Sequence, residues 1–335
     1  MGSGVKRMIN YGSFVLSSML GFLIIRQKPD YVFVDSPPPF LGIVARIYSI
    51  ITKVPIIFNV ADLWPDTVKQ MNVIAKGPIL HAAYRLEKSI YKWAKYINAV
   101  TRGNIKSLIE KKGVPNNKIL FLPNGVDIDV FKPSSPDIEL SRKLGVVNKK
   151  VIIFAGGLGY AQGLDVVVNA MMILRNMLPD LVFIFLGNGP EKERLKSLSK
   201  INKLDNVQFL EAVPLNMVPK YYSLSYAGFA SLKNLALFEE VRPSKIFPVM
   251  ACAKPIIYSG AGETAKLIRD AECGIVVPPE NPGALADAIS DLIKDEDQAK
   301  RYGRNGRKYV EINHDWSLII KNWVTDLYNR EKILL

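Results

Sequence analysis

The chain has 335 residues, enough for about two domains with large cores, and its 49% hydrophobic and 22% charged residues exclude a disordered polymer. Two histidines and two cysteines argue against a zinc cluster, and Cys252 and Cys273, both in apolar surroundings, read as buried thiols of a reducing compartment. The net charge of +13 is uneven: residues 1–133 carry 18 Lys and Arg against 8 Asp and Glu, a balance of +10, and the remainder holds +3.

Along the chain, the first apolar run, 13–25 behind Lys6 and Arg7, imitates a signal peptide. It lacks a small-residue cleavage site and is shorter than the ~20 apolar residues a membrane span needs. A helix over 4–26 is predicted, in the core or lying on a membrane surface. Strand-length apolar runs then alternate with helical stretches. In the first half the predicted strands are 31–35, 55–60, 97–101 and 119–123, and the predicted helices 39–52, 76–96 and 103–112. In the second half strands are predicted at 151–157, 181–187, 207–210, 226–231, 255–259 and 274–278. Helices are predicted at 163–177, 190–200, 215–224, 244–253, 263–271, 282–294, 297–312 and 316–331. Continuous apolar strands separated by helices predict parallel sheets covered on both faces, an α/β fold. The polar, proline-containing segment 136–150 reads as a linker between a domain over 1–135 and one over 151–312.

In open parallel sheets ligands collect beyond the carboxyl ends of the strands. After 151–155 comes "GGLGYAQGL", a glycine-rich turn that lets backbone amides approach a phosphate, although a plain tight turn explains it as well. After 182–186 comes "GNGPEKERL", with Pro190 at a first helical position and acids in the first turn. After 226–231 comes "EEVRPSKIFPVMACAKPII" (239–257), where charged groups gather at a helix start and Pro248 sits inside the apparent helix. "SGAGETAKL" follows the next strand. Four such loops on one sheet edge suggest a nucleotide-shaped cleft.

"VPNNKILFLPNGVDIDVFKP" (114–133), "LGNGPEKERL" (186–195), the 239–257 stretch and "CGIVVPPENPGALADAI" (273–289) together resemble retaining glycosyltransferases of family 4, and they fall in that family's order. "SPPPF" (36–40), "ADLWPD" (61–66) and "GYAQGL" (159–164) resemble its branch that adds amino- or deoxy-sugars to bacterial surface polysaccharides. The resemblance implies a GT-B fold: two Rossmann-like doubly wound domains facing a cleft, donor on the second, acceptor on the first, and a C-terminal helix over 313–335 packing back toward the first. Gly156, Gly157 and Gly159 would hold the diphosphate or approach the sugar, with Asn188 and Gly189 also on the donor side. Many members carry a lysine shortly after the glycine loop; here the position is Gln162, and positive charge falls to Arg242 and Lys245. The other reading of Lys245 is a solvated residue of a helix's first turn.

The family also carries two glutamates eight positions apart, one near the donor sugar and one on the ribose. The second position is Pro248; the first is Glu240, with Glu239 beside it. Glu263 and Thr264 are candidates for contact with the nucleotide, or equally for stabilising a helix start. Asp62 would orient the acceptor hydroxyl, or cap the following turn. The leaving phosphate itself takes the acceptor proton in this family, so the protein supplies positioning and positive potential. Asp127-Ile128-Asp129 spells a metal-binding Asp-x-Asp but lies in the family's interdomain segment, so no metal is expected. His314 is expected at the start of the C-terminal helix.

The expected reaction moves a sugar from a nucleotide diphosphate donor, a UDP-sugar in the first place and with no further cofactor, to a glycan or lipid-linked acceptor. The basic first half and apolar first helix place it on the cytoplasmic, inner face of the cell membrane, at an anionic surface. No arginine-rich tract or aromatic RNA motif is present, so nucleic acid is not an expected partner. The first domain reads as lacking its opening strands, which would leave a sheet edge to cover. The isolated chain is therefore expected to be weakly active and to take a protein partner. The alternative is a non-catalytic or split-enzyme subunit that binds nucleotide sugar or a sister glycosyltransferase; a GT-B epimerase finds no counterpart for its catalytic acids and histidine.

Overall fold

The computed structural model describes residues 2–24, 29–37, 39–71 and 77–333. In chain order the first part holds α1 (Gly2–Ile24), β1 (Val32–Ser36), α2 (Leu41–Thr52), β2 (Ile56–Val60), α3 (Trp64–Gln70), α4 (Pro78–Trp93), β3 (Tyr96–Ala99), α5 (Arg102–Glu110) and β4 (Ile119–Phe121). The second holds α6 (Ile138–Leu144), β5 (Lys150–Ala155), α7 (Asp165–Leu174), β6 (Leu181–Leu186), α8 (Lys192–Ile201), β7 (Val207–Leu210), α9 (Val218–Leu224) and β8 (Ala227–Ser231). It continues through α10 (Ile246–Ala251), β9 (Ile256–Ser259), α11 (Gly262–Asp270), β10 (Gly274–Val277), α12 (Pro282–Lys294), α13 (Glu296–Asn313) and α14 (Trp316–Ile333). Two compact units result: Met1–Pro123 with Asn322–Leu335, and Asn124–Lys321. Each is built on a parallel sheet, so the chain is α/β with two parallel-sheet domains. Of the predicted first helix, Ile25 and Arg26 lie outside the described residues, as does Pro38 of "SPPPF".

In the first unit the strand order is β1-β2-β3-β4, every pair parallel. β2 (Ile-Ile-Phe-Asn-Val) and β3 (Tyr-Ile-Asn-Ala) are buried throughout, which is why they read as unbroken apolar runs. Thr101 caps α5, its side chain accepting from the Asn104 N–H at 2.9 Å. Pro78 opens α4 after Gly77, whose φ of 127° only glycine adopts easily. A polar ladder crosses this sheet. Asn59 donates to Asp35, Asn98 donates to Asn59 at 2.6 Å, and the Trp323 indole of α14 donates to Asn98 at 2.9 Å. Asn98 is fully buried, so these bonds are what make an amide tolerable there.

The second unit has the order β10-β9-β8-β5-β6-β7, again all parallel. Side chains of alternate sign feed two cores. Phe154, Phe183 and Phe185 pack under α7 and α12 on one face, while Ile153 and Ile184 pack with Phe247 and Met250 of α10 on the other. Segment 136–150 contains α6, capped by Asp137 accepting from the Leu140 N–H at 2.9 Å and ended at Gly145 in the left-handed conformation. Strand order reverses between β5 and β8, and that switch point fixes where the loops part.

Candidate functional site

Two loops beyond the carboxyl ends of β5 and β6 are zipped together by backbone bonds. Gly156 N–H donates to Leu186, Leu158 N–H to Asn188 and Glu191 N–H to Leu158, at 2.9–3.1 Å. The glycines allow this approach. A Cβ on Gly187 would sit 2.1 Å from the Gly156 carbonyl oxygen, and one on Gly189 2.2 Å from that of Leu158. Gly156 and Gly187 both hold φ of 144°. The Gly159 N–H is taken up by Gln162, whose Oε1 accepts from it at 3.0 Å, while the Gln162 carbonyl accepts from Ser231 at 2.7 Å. Gln162 thus holds the turn itself.

Opposite these loops lies the chain segment after β8. A Cβ on Gly156 would be 3.1 Å from Lys245 Cε, so the lysine stem runs along the glycine turn. Lys245 Nζ rests 4.6 Å from the Phe154 ring centroid. Among the described residues no hydrogen bond or ion pair engages this ammonium, and burial pulls its pKa down to about 8. Gly156, Gly157, Asn188, Ser244, Lys245 and Pro248 line one cavity of about 900 Å³. Pro248 is the third residue of α10, where a backbone N–H would have no helical partner, so the ring neither costs a hydrogen bond nor kinks the helix.

The remaining predicted residues stand around this cavity or away from it. Arg242 pairs with Glu263 at 3.0 Å, with only 15% and 23% of their side chains exposed; the Arg242 Nε is buried without a partner. Thr264 is fully buried and donates to the Val241 carbonyl at 3.1 Å. Glu239 and Glu240 end a short 3-10 turn, Ala236–Glu240, with Glu239 exposed and Glu240 half-buried. That turn lies against the start of α11: a Cβ on Gly262 would meet the Glu239 carbonyl oxygen at 2.1 Å. Asn188 accepts from Lys192 at 2.9 Å, and Lys192, 7% exposed, also reaches the Leu210 carbonyl and Glu211. Gly189 supports the loop through its contact with Leu158. Asp62 belongs to the first unit, where it follows β2, accepts from Thr67 at 2.6 Å and has its pKa raised by burial.

Sequence reasoning missed the far wall. Asn124, Gly125 and Trp316 also line the cavity. Residues 124–126 run beside 314–316: Val126 N–H donates to the His314 carbonyl at 2.8 Å and Trp316 N–H returns to Val126 at 3.2 Å. His314 shares its Nδ1 with the Asn124 carbonyl at 2.8 Å, stacks on Phe247 at 4.1 Å, and burial lowers its pKa to about 4, so it stays neutral. The contact joins residues about 190 apart in sequence, and no local pattern announces it. Among the described residues no group of three or more His, Cys, Asp and Glu is placed to hold a metal ion. No helix of the described residues is long and apolar enough to cross a membrane.

Comparison with known proteins fits this architecture. A family model described as glycosyl transferases group 1 matches residues 137–309, and one described as glycosyltransferase family 4 matches residues 4–130. The putative colanic acid biosynthesis glycosyl transferase WcaI of Escherichia coli (strain K12) is 24% identical over 337 residues, 97% of this chain and 80% of the relative. The capsular polysaccharide biosynthesis glycosyltransferase CapM of Staphylococcus aureus is 24% identical over 94% of this chain and 80% of its own. The chain spans 63% of another relative, a GDP-mannose-dependent mannosyltransferase of Mycolicibacterium smegmatis. Among solved structures, Anabaena Alr3699/HepE in complex with UDP-glucose superposes with a TM-score of 0.76 at 20% identity, over 95% of this chain and 81% of that one. WaaG, a glycosyltransferase involved in lipopolysaccharide biosynthesis, superposes with a TM-score of 0.69 at 15% identity, over 92% and 94%. The fold is that of the GT-B glycosyltransferases, and the chain belongs to the group 1 glycosyl transferases, with a family 4 region before it.

Proposed function

We propose that the protein transfers a sugar from a nucleoside diphosphate donor, a UDP-sugar, to a glycan or lipid-linked acceptor of a surface polysaccharide, with retention at the anomeric carbon. The observation that carries this reading is Lys245, an ammonium with no acidic partner among the described residues, lying against the Gly156 turn in a 900 Å³ cavity. A diphosphate there would gain charge-assisted bonds from Lys245 and backbone N–H groups of Gly156 and Gly157. Asn188 stands at the same wall. Arg242, paired with Glu263, adds positive potential near the donor rather than a direct bond in this conformation. Glu239 and Glu240 are assigned to the donor sugar, and Asp62 to the acceptor hydroxyl. The departing phosphate takes the acceptor proton as the new glycosidic bond forms, so no covalent enzyme intermediate is needed.

A place at the cytoplasmic membrane face is supported by the balance of +10 over residues 1–133 and by exposed Phe14, Leu16 and Leu20 on α1. Incubating the chain with a panel of labelled UDP-, GDP- and dTDP-sugars and lipid-linked acceptors tests the proposal. Labelled lipid and free nucleoside diphosphate in equal amounts support it; release of neither from any donor refutes it. A second reading, a subunit of a split transferase, is favoured by one observation. β1 ends the sheet order, and on it Phe33 is 42% exposed and Asp35 is exposed, a free edge that a further strand would cover. Nucleotide-sugar binding without turnover by the chain alone supports that second reading.

A further inference from the structure

The cavity is polar at one end and apolar at the other. Lys245 and Gly156 lie beyond β8 and β5, whereas Ala212, Val213, Leu215 and Val218 follow β7, two strand positions from β5 in the sheet order. Neighbouring strands are ~4.8 Å apart, so the two ends are separated by roughly 10 Å, close to the reach from a diphosphate to its nucleobase. The base, the least polar part of a nucleotide sugar, belongs at the apolar end. Pro248 lines the cavity three residues beyond Lys245, a helical rise of about 4.5 Å. A nucleoside laid between these ends carries its ribose past Pro248.

Nothing on that wall is equipped to read a ribose diol. Proline offers no side-chain donor or acceptor. Asn188 Oδ1 is occupied by Lys192 at 2.9 Å, and Asp127 Oδ1 by the N–H groups of Asp129 and Val130 at 3.0 Å each. Tyr222 is 1% exposed and packed against Phe131, with ring centroids 6.4 Å apart. A site built to bond a hydroxyl rejects the analogue lacking it; a wall with no partner gains nothing from the hydroxyl and loses affinity if it must bury it.

Resting on the donor reading above, we propose that this site accepts 2′-deoxyribonucleoside diphosphate sugars, the thymidine diphosphate class in particular, at least as well as their ribonucleoside counterparts. Pro248 is the residue that sets this tolerance. The thymine methyl group would find Val213 and Leu215 at the apolar end.

Isothermal titration of the full chain with UDP, dUDP and dTDP tests it. The expected dUDP dissociation constant is no more than about threefold above that of UDP, and dTDP binds about two- to fourfold tighter than dUDP for one buried methyl. Pro248→Glu places an acceptor beside the ribose at a helix position that suits a carboxylate, and should shift preference toward UDP by about fivefold or more. UDP binding tenfold or more tighter than dUDP to the natural chain overturns this inference and leaves the donor site standing. An unchanged UDP-to-dUDP ratio in folded Pro248→Glu overturns the role given to Pro248. Failure of all three nucleotides to bind overturns the donor reading, and this inference falls with it.

Discussion

Replacing Lys245 by methionine should weaken donor binding and strengthen the fold at the same time. One charge-assisted bond to a phosphate contributes about 1.5–3 kcal/mol, so Lys245→Met should raise the dissociation constant for UDP by about 10- to 150-fold. The stability effect follows from burial, which lowers the folded-state pKa of Lys245 to about 8 against an ordinary 10.5. Between those values the unfolded chain binds more protons than the folded one, so stability rises with pH across that window. Below pH 8 the folded protein carries a partly desolvated ammonium. Methionine keeps the stem's packing along Gly156 and removes that cost, for a gain of about 1–2 kcal/mol once solvent access to the half-buried side chain is allowed for. Urea denaturation at pH 7 measures the gain, and calorimetry with UDP measures the loss. A variant that binds UDP within threefold of the natural chain would refute the assignment of Lys245 to the diphosphate.

The same titration makes donor affinity decline as pH rises through about 8, where the ammonium loses its proton; Lys245→Arg should bind UDP with no such decline up to pH 9.5. Gly187→Ala places a methyl 2.1 Å from the Gly156 carbonyl oxygen at a φ of 144°, and should cost about 2–4 kcal/mol in urea denaturation while abolishing UDP binding. Arg242 and Glu263 should show a coupling of about 1–2 kcal/mol in a double-mutant cycle on stability, given their limited exposure. Trp316 lines the cavity, so nucleotide binding should change the intrinsic fluorescence of the natural chain, and Trp316→Phe should remove most of that change.

Legibility followed the reach of each physical signal. Buried parallel strands such as Ile56–Val60 and Leu181–Leu186 announce themselves as apolar runs, because both faces of the sheet are covered. The glycine turns were visible because close backbone approach demands glycine. α3 and α6 were not assigned, although Pro65 near the start of one and the Asp137 and Gly145 caps of the other were local signs of helix. The partner of Arg242 was hidden, since nothing local says that a guanidinium will find Glu263 twenty-one residues later. The place of Gln162 was hidden too: its amide folds back on Gly159 three residues earlier, a role composition does not reveal. Pro248 drew notice as an anomaly inside a helix. Its position as third residue resolves the backbone question, and its place on the cavity wall gives it a role of another kind.

The account stands or falls on where a donor diphosphate binds. A crystal structure of the full chain with UDP should place phosphate oxygens about 3 Å from Lys245 Nζ and from the backbone N–H of Gly156 or Gly157. Phosphates found elsewhere, with Lys245 still resting over Phe154, would contradict it.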